Sequence, residues 1–169
     1  MDRRYGVFRY IAYALEIILL FVLQTTPDLL PEICGGKPVL LIPAALSIAF
    51  FEQEIPSMFY GLACGIVIDL SSSDNIGFYA FTLTLICFVV SQIFRDYMVV
   101  NLLNSLAFSA GTAFVLIFLH FMFFYLMAGK SQPGYYFVHH YVSRIIYTTG
   151  VSPVLYGLNR FLFRSLRDK

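Results

Sequence analysis

The sequence contains few charged residues. Asp, Glu, Lys and Arg make up 12% of its 169 residues, whereas 59% of the residues are hydrophobic and the mean hydropathy is +0.77. A soluble domain carries about twice that share of charge. Because so little polar surface cannot cover a globule in water, the composition excludes an ordinary soluble domain and predicts an integral membrane protein.

A patch of one charge sign is also missing. The chain has 11 basic and 10 acidic residues, for a formal net charge of +1, and the basic residues form no acid-free patch of useful size. Nucleic acid is therefore not an expected partner, and the lipid bilayer is.

Residue patterns that carry chemistry are scarce. The three cysteines, Cys34, Cys64 and Cys87, include no CxxC pair, so we predict neither a disulfide framework nor a zinc site. His139 and His140 are adjacent but lack companion ligands, which leaves the role of this pair open and predicts no metal and no cofactor. A P-loop, a nucleophile elbow, a zincin motif and paired catalytic carboxylates are missing too, so we predict a protein that is not an enzyme.

Long apolar runs are what the sequence has in abundance. We predict spans at residues 7–25, 38–51, 55–70, 76–94, 102–127 and 145–163. A helical span needs about 20 apolar residues, so these runs use the whole chain as one transmembrane domain, residues 1–169. The first run is long, contains Glu16 and lacks a cleavage site, and we expect it to be a retained anchor. The runs are apolar on every side, which favours an all-α bundle over a β-barrel.

The second and third runs are short, and they form either two helices or one interrupted by Glu52 and Glu54. With six spans, eight basic residues share one side of the membrane and three lie opposite; with five spans the split is five against six. The positive-inside rule favours the uneven split. We therefore predict six spans with both termini in the cytoplasm.

A glycine pattern marks the third run. Gly61, Gly65 and Asp69 are four residues apart and so share one helix face, and a polar turn with Gly77 follows. Two glycines in this register let another backbone approach closely. We predict that this face packs the bundle and that Asp69, near the outer interface, joins this helix to the next or to a partner. The alternative is a helix-end polar residue that only touches headgroups or caps the next turn.

Glu16 is the acid nearest the middle of a predicted span, and its sequence neighbours offer it no partner. An acid at that depth must face the bundle, face another chain or be protonated. We predict a buried or interface role for Glu16 in preference to proton transport.

These residues resemble the MreD family, the rod shape-determining membrane proteins of bacteria. The resemblance rests on the chain length and the six spans, on Gln24 at the end of the first, on Lys37-Pro38 before a short second span, on Gly61, Gly65, Asp69 and Gly77, and on Pro153 with the basic tail. It implies a non-catalytic subunit of the rod complex in the cytoplasmic membrane. It further implies MreC, a single-span protein, as partner, with MreB, a RodA-type glycosyltransferase and its transpeptidase connected through it.

The resemblance also implies a fold like that of the substrate-binding subunits of energy-coupling-factor transporters. A vitamin-binding subunit is therefore an alternative, since fold alone does not settle function. Its pocket would draw on polar and aromatic residues of the outer loops: Asp28, Glu32, Asp74, Asn75, Tyr135, Tyr136 and His139. A third interpretation, an intramembrane enzyme of envelope precursor metabolism, lacks a cluster of reactive side chains.

Overall fold

A computed structural model of the chain describes residues 3–26, 39–71, 77–98, 100–123 and 143–167. This part of the chain is helical, which confirms the prediction of an all-α protein. Its helices are α1 (Arg3–Thr25), α2 (Leu41–Ala49), α3 (Glu54–Ser71), α4 (Phe78–Asp96), α5 (Leu102–Phe121) and α6 (Ser143–Arg167).

Three of the described helices, α3, α4 and α5, are long and apolar enough to cross a bilayer. Together with the composition, they make the chain a membrane protein. The predicted fifth run, 102–127, continues beyond residue 123 and so falls partly outside the described residues.

Helix α2 is short and lies in the centre of the fold. Its nine residues are all buried, and at about 1.5 Å per residue they extend only about 14 Å. The helical hydrogen bonding continues just past it, since the N–H of Glu52 donates to the carbonyl of Ile48 at 3.0 Å. The chain then turns, and α3 begins at Glu54, so the second and third runs form two separate helices.

The helices alternate in direction between two ends of the fold. At one end, here called the charged end, Arg9 of α1 pairs with Glu52 and its guanidinium lies 5.9 Å from the ring of Phe163 in α6. At the opposite end the N–H of Val39 donates to Thr148 at the start of α6, at 3.3 Å. The start of α1 and the end of α6 therefore lie at the same end.

Candidate functional site

Gly65 lies directly against the backbone of α4. A Cβ atom added to Gly65 would clash with Cα of Ala80 and would lie 2.6 Å from the carbonyl oxygen of Tyr79 and 2.7 Å from the nitrogen of Ala80. Real Cβ atoms do not approach backbone atoms so closely. Only glycine leaves room for α4 at this position.

Gly61, one turn earlier, faces a side chain rather than backbone alone. An added Cβ would lie 2.9 Å from both Cβ and Sγ of Cys87 and 3.0 Å from the carbonyl oxygen of Leu83. Both glycines thus lie against α4, as a helix pair with small residues at its contact requires.

Asp69 continues the same face of α3 and binds the first turn of α4. Its carboxylate accepts hydrogen bonds from the backbone N–H groups of Tyr79, at 3.1 Å, and of Ala80, at 2.8 Å. These N–H groups have no partner inside their own helix, and the negative charge lies at the positive end of the α4 dipole. Asp69, which is buried, thus caps α4 from the neighbouring helix.

Gly77 precedes the first turn of α4 and takes a left-handed conformation, with φ of +91° and ψ of −9°. As the N-cap residue, Gly77 makes no side-chain hydrogen bond to cap α4. Nothing lies within 4 Å of an added Cβ, so backbone conformation and not space requires glycine here.

Replacing Gly77 with Ala is expected to destabilise the protein by about 1–2 kcal/mol, the cost of a left-handed conformation for a residue with a Cβ. Melting of the purified full-length chain in detergent measures the effect. Gly150→Ala in α6 is the matched control, because its added Cβ also meets open space but its φ is not in the left-handed region. Equal melting temperatures for the two variants would contradict the backbone argument.

The sequence interpretation missed Ser57, which extends the same stripe by one turn. Its hydroxyl donates to the carbonyl of Cys87 at 3.1 Å, and it is fully buried. The signal was present, because Ser57, Gly61, Gly65 and Asp69 follow one another at intervals of four. We call this stripe and its contacts on α4 the α3–α4 contact face.

Glu16 belongs to a second polar group, remote in sequence. It is 6% exposed, and its Oε1 accepts a hydrogen bond of 2.9 Å from Nδ2 of Asn159 in α6. The same Nδ2 lies 2.6 Å from the hydroxyl oxygen of Ser47 in α2. The polar groups therefore join α1, α2 and α6 within the bundle. Asn159 and Ser47 were not predicted, although a lone Asn in the last apolar run was a signal.

Two ion pairs hold the turn between α2 and α3 at the charged end. Nη2 of Arg9 donates to Oε2 of Glu52 at 3.2 Å. Nε of Arg9 lies 2.7 Å from Oε1 of Glu52 but does not form a hydrogen bond with it. Nη1 of Arg95 donates to Oε1 of Glu54 at 2.7 Å. The first pair is largely buried on the carboxylate side, whereas the second is exposed and contributes about 0–1 kcal/mol.

The outer surfaces of the helices are apolar. Side chains on the faces of α3 and α4 turned away from the contact face include Phe59, Leu62, Phe81 and Leu85, all exposed. Exposed apolar side chains of this size suit contact with lipid or with another apolar helix.

Among the described residues, no group of three or more His, Cys, Asp or Glu is placed to hold a metal ion. His139, His140 and all the outer-loop residues named for a vitamin pocket lie outside the described residues. The polar groups that the structure does bring together join helices to one another.

No curated protein and no solved structure gives a significant match to the chain. A family model described as rod shape-determining protein MreD matches residues 6–166 of the 169. The match covers nearly the whole chain and confirms the resemblance seen in the sequence. The chain therefore belongs to the MreD family of rod shape-determining proteins.

Proposed function

We propose that the protein is a non-catalytic subunit of the bacterial cell-elongation complex. In this proposal it binds the single span of MreC within the membrane. MreC in turn connects it to MreB filaments, to a RodA-type glycosyltransferase and to the transpeptidase of that enzyme. The protein thereby helps to organise peptidoglycan synthesis and rod cell shape. Membership of a rod shape-determining family supports this function.

The observation that carries the proposal is the construction of the α3–α4 pair. Its inner face is fixed by close backbone contact and by the Asp69 cap, while its outer face presents large apolar side chains. Lipid tails are as apolar as Leu, so a partner helix must be bound by close van der Waals fit and not by hydrophobic burial. A fixed helix pair offers a preorganised surface, which lowers the entropy cost of binding.

We further propose six crossings of the cytoplasmic membrane with both termini in the cytoplasm. The alternating directions of the helices support this topology, as does the position of Arg9, Arg95, Arg160 and Arg164 toward the charged end. The second crossing contains α2, which is too short for a bilayer core of about 30 Å. Since the residues of α2 are all buried, neighbouring helices rather than lipid surround it, and its short length leaves no part of it exposed to the bilayer core. We also propose that the fold resembles that of the substrate-binding subunits of energy-coupling-factor transporters.

Photocrosslinking in living cells tests the partner. A photoreactive residue is placed at one lipid-facing position on each of five helices: Leu19, Phe59, Phe81, Phe114 and Phe161. We expect at least one position to yield a crosslink to an MreC-like protein, with a wall glycosyltransferase in the same detergent pull-down. Leu83 is the matched control, because it is fully buried in the same α4 as Phe81 and is expected to yield none.

Recovery of an ATPase pair with a coupling membrane subunit, and of no MreC-like protein from any position, would contradict the scaffold function. It would favour the vitamin-binding alternative, for which ligand binding by the purified chain is the next assay.

A further inference from the structure

The group formed by Glu16, Ser47 and Asn159 has more hydrogen-bond acceptors than donors. Nδ2 of Asn159 carries two hydrogens, and three acceptors surround it: Glu16 Oε1 at 2.9 Å, Ser47 Oγ at 2.6 Å and the carbonyl oxygen of Leu155 at 3.2 Å. The hydroxyl hydrogen of Ser47 is used on the carbonyl of Ala44, at 2.8 Å. Neither Glu16 Oε2 nor Asn159 Oδ1 has a hydrogen-bond partner, and both atoms are buried.

Among the described residues, no cation compensates the carboxylate of Glu16. Arg9, two turns earlier on α1, is paired with Glu52. Arg160, next to Asn159, directs its guanidinium over the ring of Tyr156 at 5.9 Å. The helix α2 has no charged residue at all. An isolated carboxylate in such surroundings is costly, and proteins avoid the cost by pairing or neutralising it.

The other titratable groups around Glu16 are neutral in their ordinary forms. Tyr13 lies one turn earlier on α1, and α3 contributes Cys64. Tyr60 of α3 packs against the ring of Tyr13. Asn159 and Ser47, from α6 and α2, do not titrate. None of these groups supplies a positive charge.

A proton supplies the missing hydrogen-bond donor and neutralises the carboxylate better than a metal cation does. An alkali ion would need several oxygen ligands around it, but the N–H bonds of Asn159 already point at Glu16 and Ser47 and would repel a cation placed among them. A hydrogen on Glu16 Oε2 removes the charge and adds the missing donor. Asn159 Oδ1 is the unpartnered acceptor of the same residue that donates to Glu16 Oε1, and a carboxylic acid and an amide form such reciprocal pairs readily.

We infer that Glu16 is a proton-binding site inside the bundle, where the neutral acid, together with Asn159 and Ser47, joins α1 to α6 and α2. Loss of the proton leaves a buried charge among acceptors and weakens the attachment of α1. The contact between these helices thus depends on the proton, and this holds whichever partner the outer surface binds.

Infrared difference spectroscopy and pH-dependent melting of the full-length protein in nanodiscs test the inference. We expect the carbonyl stretch of a protonated carboxylic acid near neutral pH, absent in Glu16→Gln and shifted in Asn159→Ala, which removes the N–H donor. Since the native state holds a proton that the unfolded chain releases, the unfolding equilibrium constant rises with pH, by at most tenfold per pH unit. In Glu16→Gln, whose amide also donates and accepts, stability is retained at pH 7 and this slope is lost.

Glu54→Gln is the matched control for the exchange of a carboxylate for an amide, because Glu54 is in the exposed pair with Arg95; it is expected to keep both the band and the slope. Absence of the band in the wild-type protein would overturn the inference, and this outcome does not require any variant to fold. Stability that rises with sodium concentration at fixed pH, and is insensitive to sodium in Glu16→Gln, would overturn it in favour of a metal cation.

Discussion

Replacing Gly65 with Ala is expected to separate α3 from α4 and to reduce sharply the amount of folded protein in the membrane. The added methyl group would meet the backbone of Tyr79 and Ala80, which cannot move aside as a flexible side chain can. Overpacking of a tight contact costs about 1–3 kcal/mol and occasionally more. We place Gly65→Ala at about 3 kcal/mol or above, because α4 must shift as a whole and the two hydrogen bonds to Asp69 are strained with it.

Gly→Ala substitutions at other positions show how much of the destabilisation comes from contact with backbone atoms. Gly61→Ala is expected to cost less, since two of the three atoms nearest to its Cβ belong to the side chain of Cys87 and the third, the carbonyl oxygen of Leu83, is farther away than the backbone atoms that Gly65 meets. Gly111→Ala in α5 is the control, because nothing lies within 4 Å of its added Cβ; it should melt at the wild-type temperature or slightly above it, since Ala favours the helix more than Gly does. Leu at Gly61 or Gly65 should abolish accumulation and rod shape together.

Membrane abundance and melting in detergent measure the series. An order of Gly65, then Gly61, then Gly111, from most to least destabilised, supports close backbone contact as the cause. If Gly65→Ala and Gly111→Ala melted alike, the α3–α4 contact would not need glycine.

The helices could be predicted from the sequence largely because apolar runs and turn residues mark them directly. The predicted third run, 55–70, differs by one residue at each end from α3, Glu54–Ser71. The second run was predicted as 38–51, whereas α2 is Leu41–Ala49. An apolar run shows that residues avoid water, but it does not show where helical hydrogen bonding begins, so its ends are poorly determined.

The central position of α2 could not be predicted. Its sequence is apolar all round, which is equally typical of a helix surrounded by lipid and of one surrounded by protein. Counting basic residues places helix ends on one side of a membrane or the other, and it contains no information about which helix is in the middle.

For each candidate residue, the sequence predicts the helix face on which it lies but not the atoms that it contacts on the neighbouring helix. Spacing by four places Gly61, Gly65 and Asp69 on one face, as a property of any α-helix. The atoms that Asp69 binds are backbone N–H groups. Every residue except Pro has one, so residue type does not indicate which of them Asp69 binds. Asn159 is 143 positions from Glu16, and a single sequence gives no signal that connects residues at that distance.

Replacing Asp69 with Leu is the second large effect that we expect. The substitution removes both hydrogen bonds to α4, at 3.1 and 2.8 Å, and leaves two buried N–H groups without acceptors. An unsatisfied buried polar group costs about 1–3 kcal/mol, so the loss for the two groups is about 2–6 kcal/mol. Hydrogen exchange at the amides of Tyr79 and Ala80 should speed up before exchange in the middle of α4, since the helix would fray from this end.

Asp69→Asn separates the contribution of hydrogen bonding from that of charge. The amide keeps one acceptor oxygen, so it can retain one of the two bonds, but it loses the negative charge at the start of α4, an effect of about 0.3–1 kcal/mol that reaches about 2 kcal/mol where partly buried. If hydrogen bonding dominates, Asn is clearly milder than Leu in both melting and exchange. Asp96→Asn, at the exposed opposite end of the same helix, controls for loss of a carboxylate and should change little. Equal damage from Asn and Leu would mean that the charge, acting on the dipole of α4, holds this helix pair together.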